Sequence, residues 1–346
     1  MSVVISLVEP GGQITVATPL DFTHYTSEET GIFKLAVRPQ LRNLQAQPIF
    51  DTISTSATDQ TQPRPALLTL FRLVALLPLP LLHLLGTLLG WAMYLFSPRL
   101  RQRIHSFAAQ SGLAVRPLQN AAEMGKALAE LPALWLRPHA RTARLVKDVQ
   151  GWELIEQAQR AGTGIIFLTP HLGCFEITSH YYALRHPITV LFRPPKLAWL
   201  APLLTQGRQR DNITLAPANA HGVKQLLQAL KRKEAIGILP DQVPGAGEGT
   251  WVPFFGRPAY SMTLAAKLAS KSGATVLMVY GERLSLGRGY RLVIQPLQQT
   301  LPADIVQGTR LINQAVEQLV RQLPQQYLWS YNRYKRPRGA PEAPAC

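Results

Sequence analysis

Five short apolar runs, Gly164–Thr169, Ile188–Phe192, Ala235–Leu239, Thr275–Tyr280 and Tyr290–Ile294, recur through the second half of the chain. Each is bounded by glycine, proline or polar residues, and each has the length and composition of a strand buried on both faces. Apolar residues at three- and four-residue spacing predict helices over Leu197–Arg210, Gly222–Lys231, Ser261–Ser270 and Asp304–Gln322, which alternate with those strands. Upstream, Leu118–Leu136 and Leu145–Ala158 have the same helical spacing and are expected to cover the sheet. This alternation predicts an α/β layered fold. No internal repeat is visible, and the Pro-rich stretch after Lys335 reads as solvated chain.

Leu73–Phe96 breaks the pattern. These 24 residues contain no formal charge, with Arg72 before them and Arg99, Arg101 and Arg103 just after. The length suits a bilayer-spanning helix, and the basic cluster sets the following chain on the cytoplasmic side. Pro78, Pro80 and His83 weaken a straight span and leave two alternatives, a bent helix embedded in one leaflet and a helix buried in a soluble fold. Met1–Val8 lacks a basic start and is not a secretory signal. Residues 10–64, rich in Thr, Ser, Gln and Pro, show little periodicity. The expected organisation is a disordered or weakly ordered extension over 1–65, a membrane-anchoring helix over 66–98, a folded domain over 99–336 and a flexible tail over 337–346.

Charge sharpens this picture. The chain carries +16, but residues 1–62 hold three basic and six acidic side chains, so the remainder carries +19. An anionic partner is implied, either nucleic acid or a membrane surface or phosphorylated lipid. No helix-turn-helix, zinc-finger spacing or aromatic RNA-binding motif accompanies the charge. Two cysteines make no disulfide framework and no CxxC pattern.

Candidate chemistry gathers where strands end. The run Ile165–Thr169 closes in Pro170, followed by His171-Leu172-Gly173-Cys174-Phe175-Glu176, a base and a carboxylate separated by four residues. About 0.5 such His-x4-acid pairs are expected by chance in this composition, so position at a strand exit carries the weight. The two side chains converge only if His171 precedes a helix that contains Glu176, and Gly173 suits that turn. Three other strand ends or loops are polar: Arg193 in Leu191–Lys196, Asp241-Gln242 after Ile238-Leu239-Pro240, and Arg257 in the apolar loop Trp251–Pro258. Arg208 and Arg210 follow in a helical region. Taken singly, each has a plain alternative: the arginines as surface charge, Asp241 as a turn or cap, Phe254 and Phe255 as packing. His171, Cys174 and His180 match no familiar zinc spacing. Gly245, Gly247 and Gly249 form neither a GxGxxG nor a Gly-Lys-Ser/Thr loop, and there is no GxSxG elbow.

In order and spacing, "PHLGCFE", "LFRPPK", "QGRQR", "ALKRKEAIGILPDQ", "WVPFFGRPA" and "QYLWSYNRYK" resemble the late acyltransferases of bacterial lipid A biosynthesis, within the lysophospholipid acyltransferase superfamily. The resemblance covers roughly residues 66–335. It implies a glycerol-3-phosphate acyltransferase-like α/β/α layered sheet with an N-terminal membrane helix, at the cytoplasmic face of a Gram-negative inner membrane. It also implies transfer of an acyl chain from acyl carrier protein to a hydroxyl of a phosphorylated glucosamine lipid, with no metal, nucleotide or other cofactor. In that scheme His171 is the general base, Glu176 orients it, Arg193 and Arg208 hold lipid anions, and Asp241 and Gln242 position the sugar. Backbone N–H groups around Gly173 would serve the oxyanion. Two departures stand out: Val243 replaces a common second acid after Asp-Gln, and Tyr331-Asn332 replace a His-Arg pair. Alternatives are a different acceptor (lysophospholipid, other glycolipid or aminolipid), an acyl-CoA donor, or a noncatalytic basic protein that binds membrane or nucleic acid.

Overall fold

The computed structural model describes residues 65–193, 205, 207–210 and 212–344, together with two short strands nearer the N-terminus. Those strands, β1 (Leu7–Val8) and β2 (Ile14–Thr15), pair antiparallel. Most of the expected extension over 1–65, and most of the expected helix over Leu197–Arg210, lie outside the described residues.

The folded unit begins with helices α1 (Pro65–Leu76), α2 (Leu79–Phe96), α3 (Pro98–Ser111), α4 (Pro117–Leu136) and α5 (His139–Ala143). The α/β part follows as β3 (Val146–Gln150), α6 (Trp152–Arg160), β4 (Ile165–Leu168), α7 (Glu176–Tyr182), β5 (Ile188–Phe192), β6 (Ile213–Pro217), α8 (Ala220–Lys231) and β7 (Ala235–Ile238). A hairpin of β8 (Gly249–Phe254) and β9 (Arg257–Met262) precedes α9 (Leu264–Ser272), β10 (Thr275–Arg283), β11 (Tyr290–Pro296) and α10 (Ile305–Gln322).

The seven-stranded sheet has the order β3-β11-β10-β4-β7-β5-β6. Strands β10, β4, β7, β5 and β6 run parallel, whereas β11 returns antiparallel to β10 and carries β3 with it. Period-two alternation sorts β4 between two cores. Ile166 and Leu168 join Ile236, Ile238 and Met278 beneath α8, α9 and α10, while Ile165 and Phe167 join Val279, Leu292 and Ile294 beneath α6 and α7. Burial of both faces explains why these strands read as unbroken apolar runs.

Four expectations are corrected. Leu145–Ala158 is not one helix: Gly151, at φ +84°, stops strand β3 and starts α6. A Cβ at Gly151 would lie 2.1 Å from the Ile294 carbonyl oxygen, so the turn needs glycine. The apolar loop Trp251–Pro258 is the hairpin β8–β9, turned by Phe255 and Gly256, both at positive φ as a tight primed turn requires. This hairpin also takes Ser261 and Met262 from the expected helix, which starts at Leu264. The tail is held down as far as Pro341. Ala340 is buried beside Val243 and Tyr260, and the Trp251 indole donates to the Pro341 carbonyl at 3.1 Å.

The apolar stretch at 73–96 is broken at Pro78, and among the described residues Leu79–Phe96 is the one continuous helix long and apolar enough to cross a membrane. Its Gly86 and Gly90 lie against Gly125 of α4, backbone to backbone, and a Cβ at Gly125 would sit 1.9 Å from the Gly86 carbonyl oxygen. Small residues four apart permit this approach. Gly125→Leu is expected to destabilise the protein by about 1–3 kcal/mol through overpacking, read as a lowered urea midpoint.

A buried ionic network ties α2 and α4 to the sheet. Glu130 accepts from Arg283 Nη2 at 2.6 Å and Nε at 3.1 Å, from the Tyr290 hydroxyl at 2.9 Å, and lies 3.3 Å from His83 Nε2. Burial opposes the charge on Glu130. The Arg283 guanidinium and the hydrogen bonds from His83 and Arg283 overcome it and hold the carboxyl down at about 2.

Candidate active site

The parallel register sets the site. Leu168 of β4 lies opposite Ile238 of β7, and the N–H of Thr169 still donates to the Ile238 carbonyl at 2.9 Å. Each strand then leaves through the same three-residue step, Thr169-Pro170-His171 beside Leu239-Pro240-Asp241. Proline removes a ladder donor and ends the pairing, so the third residue of each exit meets its counterpart above the carboxyl edge of the sheet.

There the His171 Nδ1 lies 2.8 Å from Asp241 Oδ1, and the His171 backbone N–H donates to Oδ2 at 2.9 Å. An ionised carboxylate only accepts, so Nδ1 carries the proton and Nε2 is left with its lone pair. The carboxamide nitrogen of Gln242 lies 3.3 Å from Nε2. Asp241 is 2 % exposed. Burial raises its carboxyl, but the facing His171, through charge and two hydrogen bonds, and the field of Arg333 bring it below the usual carboxylate range.

The rest of the mount is aromatic and backbone. Phe175 meets the imidazole edge-on at 4.9 Å between centroids, and Tyr331 lies nearly parallel to it, 12° between planes at 6.0 Å. The loop itself is clamped by a segment far downstream: Leu328 N–H donates to the His171 carbonyl, Gly173 N–H to the Gln326 carbonyl, and Leu172 bridges Tyr327. Gly173 adopts φ +59°, and a Cβ there would lie 2.1 Å from the Gly281 carbonyl oxygen. The N–H groups of Gly173 and Cys174 are therefore spent on Gln326 and Gly281, and the oxyanion role expected of the backbone near Gly173 has no open donor at these two residues.

Glu176 opens α7 and faces elsewhere. Its carboxylate is gripped by Arg208 through Nε at 2.9 Å and through Nη2. The Arg208 guanidinium is also flanked by the rings of Trp135 and Phe192, each 5.7 Å away. The carboxylate bonded to the imidazole is thus Asp241, where the sequence suggested Glu176, and Arg208, expected to hold a lipid anion, is engaged by protein. Arg193 is exposed at the end of β5. The two departures from the family pattern touch: the Val243 N–H donates to the Tyr331 hydroxyl at 2.8 Å.

His171, Glu176, Arg193, Arg208 and Gln242 all line one cavity, which encloses about 1200 Å³ counting its open mouth. From this polar rim it runs along the α6–α7 side of the sheet, past Phe167 and Val190, to Ile155, Leu292 and Ile294. A basic nitrogen at the mouth of an apolar channel is suited to deprotonating a hydroxyl beside a hydrocarbon-bearing substrate.

The profile of the bacterial lipid A biosynthesis acyltransferases matches residues 64–336. The chain belongs to this family. Among similar proteins are the lipid A biosynthesis palmitoleoyltransferase of Escherichia coli K12, 30 % identical over 276 residues covering 76 % of this chain and 88 % of that one, and the lauroyltransferase of the same organism, 30 % identical over 282 residues covering 78 % and 90 %. A lipid A biosynthesis acyltransferase of Haemophilus influenzae is 26 % identical over 284 residues, covering 77 % and 88 %. As a member of the lipid A acyltransferase family, this chain is an acyltransferase.

Proposed function

We propose that this acyltransferase moves a fatty acyl chain from an acyl carrier protein thioester to a hydroxyl of a lipid A precursor, at the cytoplasmic face of the inner membrane. The observation that carries the reading is His171, its Nδ1–H held by Asp241 and its Nε2 turned to the rim of the apolar cavity. The acceptor hydroxyl takes the position beside Nε2 that the Gln242 carboxamide now holds. Nε2 removes its proton as the oxygen attacks the thioester carbonyl. The tetrahedral intermediate collapses, the C–S bond breaks, and the leaving thiolate recovers that proton from the imidazolium. Asp241 stabilises the imidazolium in between. The cavity behind His171 holds the acyl chain, Arg193 meets acceptor phosphate, and the basic surface steers the acidic carrier.

The test is the purified full chain with a set of acyl carrier protein thioesters and a lipid A precursor, read by mass spectrometry. Addition of one acyl mass to the precursor is expected, unchanged by EDTA. Transfer only to a lysophospholipid, or no thioester consumption, would refute it.

Within this mechanism Glu176 supports Arg208 and the wall of the cavity, and His171 keeps its orientation without it. Glu176→Gln is expected to cost about 1–2 kcal/mol of stability from the lost charge-assisted pair. It should leave the shape of the pH–rate profile intact. A changed profile would return Glu176 to the proton relay.

A further inference from the structure

Helix α2 has two unlike sides. Leu79, Leu82, His83, Gly86 and Gly90 are buried, whereas Leu81, Leu84, Leu85, Leu88, Leu95 and Phe96 are exposed and share the opposite side of the helix. The exposed apolar surface continues onto α1 through Leu70, Leu73 and Leu76 and onto α4 through Leu118 and Leu128. Leu286, 87 % exposed, projects from the β10–β11 connection beside the start of α2. So extensive an apolar face marks an interaction surface.

The folded body holds α2 at both ends and in the middle. At the start, Gly287 packs on Pro80 so closely that a Cβ would sit 2.4 Å from the Pro80 Cα. Halfway, Gly86 and Gly90 press on α4 and His83 reaches Glu130. At the end, the Trp91 indole donates to the Leu118 carbonyl at 3.1 Å, the Tyr94 hydroxyl meets His105 at 2.7 Å, and Arg101 donates to the Tyr94 carbonyl at 3.0 Å. A helix gripped this way crosses a bilayer only if Glu123, Lys126 and the buried Glu130–Arg283 pair enter the hydrocarbon with it, which is costly.

We infer that α2 does not cross the membrane: it lies in the plane of one leaflet, and the face formed by α1, α2 and Leu286 docks on an anionic phospholipid surface. The charges fit that partner. Exposed Arg72 lies on α1, Arg288 follows Leu286 near the start of α2, and Arg99 and Arg103 lie beyond its end, so cations flank the apolar face at both ends. A crossing helix would gather them on one side, whereas an interfacial helix borders its apolar face with them and seats an indole such as Trp91 at headgroup level. Leu79 and Leu82 share one packed cluster with Cys174, Ile177 and Phe192, and Phe192 lines the catalytic cavity, so docking brings the leaflet next to the site.

The experiment uses the full chain with Cys346→Ser, carrying Lys147→Cys or Ser106→Cys in separate variants, bound to the outside of sealed phosphatidylethanolamine–phosphatidylglycerol vesicles. Lys147 is exposed on β3 beside Gly289, near the start of α2 but outside the docking face, and Ser106 is exposed on α3 beyond the end of α2. Cys174 is buried. A membrane-impermeant maleimide is expected to label both new cysteines to the same extent. Protection of one but not the other, or failure to bind the vesicles, would overturn the inference. Leu286→Lys supplies a second readout, since only in-plane docking puts that distant turn into lipid: vesicle partitioning should fall about tenfold or more with the melting transition unchanged. Undiminished partitioning would also overturn it. Neither readout depends on acyl transfer.

Discussion

Asp241→Asn is expected to lower the acyl-transfer rate by about 10³-fold or more while the protein stays folded and keeps its substrate affinity. The carboxylate accepts from both the ring and the backbone of His171, and an amide of the same shape can satisfy the backbone N–H equally well. What changes is the ring. An amide nitrogen facing Nδ1 donates, so Nδ1 becomes the acceptor and the proton moves to Nε2, the atom that must be bare to take the acceptor proton. In serine proteases the equivalent substitution leaves geometry intact and costs about 10⁴ in kcat by this tautomer error. His171→Ala should be at least as severe. Single-turnover transfer of a radiolabelled acyl chain, with lipid binding measured separately, checks both, and an Asp241→Asn enzyme within tenfold of wild type would remove Asp241 from the mechanism.

Glu130→Ala is expected to lose about 3 kcal/mol of stability, since it takes the bidentate carboxylate from buried Arg283, leaving it Glu123 at 3.7 Å, and leaves the Tyr290 hydroxyl without its acceptor. Replacing the pair by apolar residues, Glu130→Leu with Arg283→Met, should recover much of the loss, because the desolvation of both charges is then avoided. The pH dependence has a definite sign. The folded carboxyl is depressed from 4.5 to about 2, so its contribution is fully present above about 4.5 and fades as pH falls toward 2. The gap in urea midpoint between wild type and Glu130→Gln should therefore narrow across that interval. A constant gap would mean that the charge on Glu130 carries none of it.

The five apolar runs of the central sheet were legible because burial on both faces leaves few polar interruptions, as in Ile165–Leu168. Strand β3 was not, because at the sheet edge Val146, Lys147, Asp148 and Val149 alternate loosely and run into the helical spacing of α6. The hairpin was hidden by Pro253 and Pro258, which stand opposite each other in a two-stranded ribbon where few ladder bonds are needed. At the site, His171, Arg193, Asp241 and Gln242 were identified as polar residues at strand ends, Glu176 in the helix after His171 and Arg208 in a helical region. Which of them bond to each other was not, since pairing follows from strand neighbours: β7 inserts between β4 and β5 and brings Asp241 to His171. One signal was present in the letters. Both strands close with a proline followed at once by a polar residue, and equal exits on adjacent parallel strands end side by side.

The clamp of Gln326, Tyr327 and Leu328 on the His171 loop orders events during synthesis. The ribosome releases the histidine and its aspartate long before the residues that fix their loop emerge, so a nascent chain carries the reactive groups unassembled. The His171 loop is complete only when that late segment has been added beneath it.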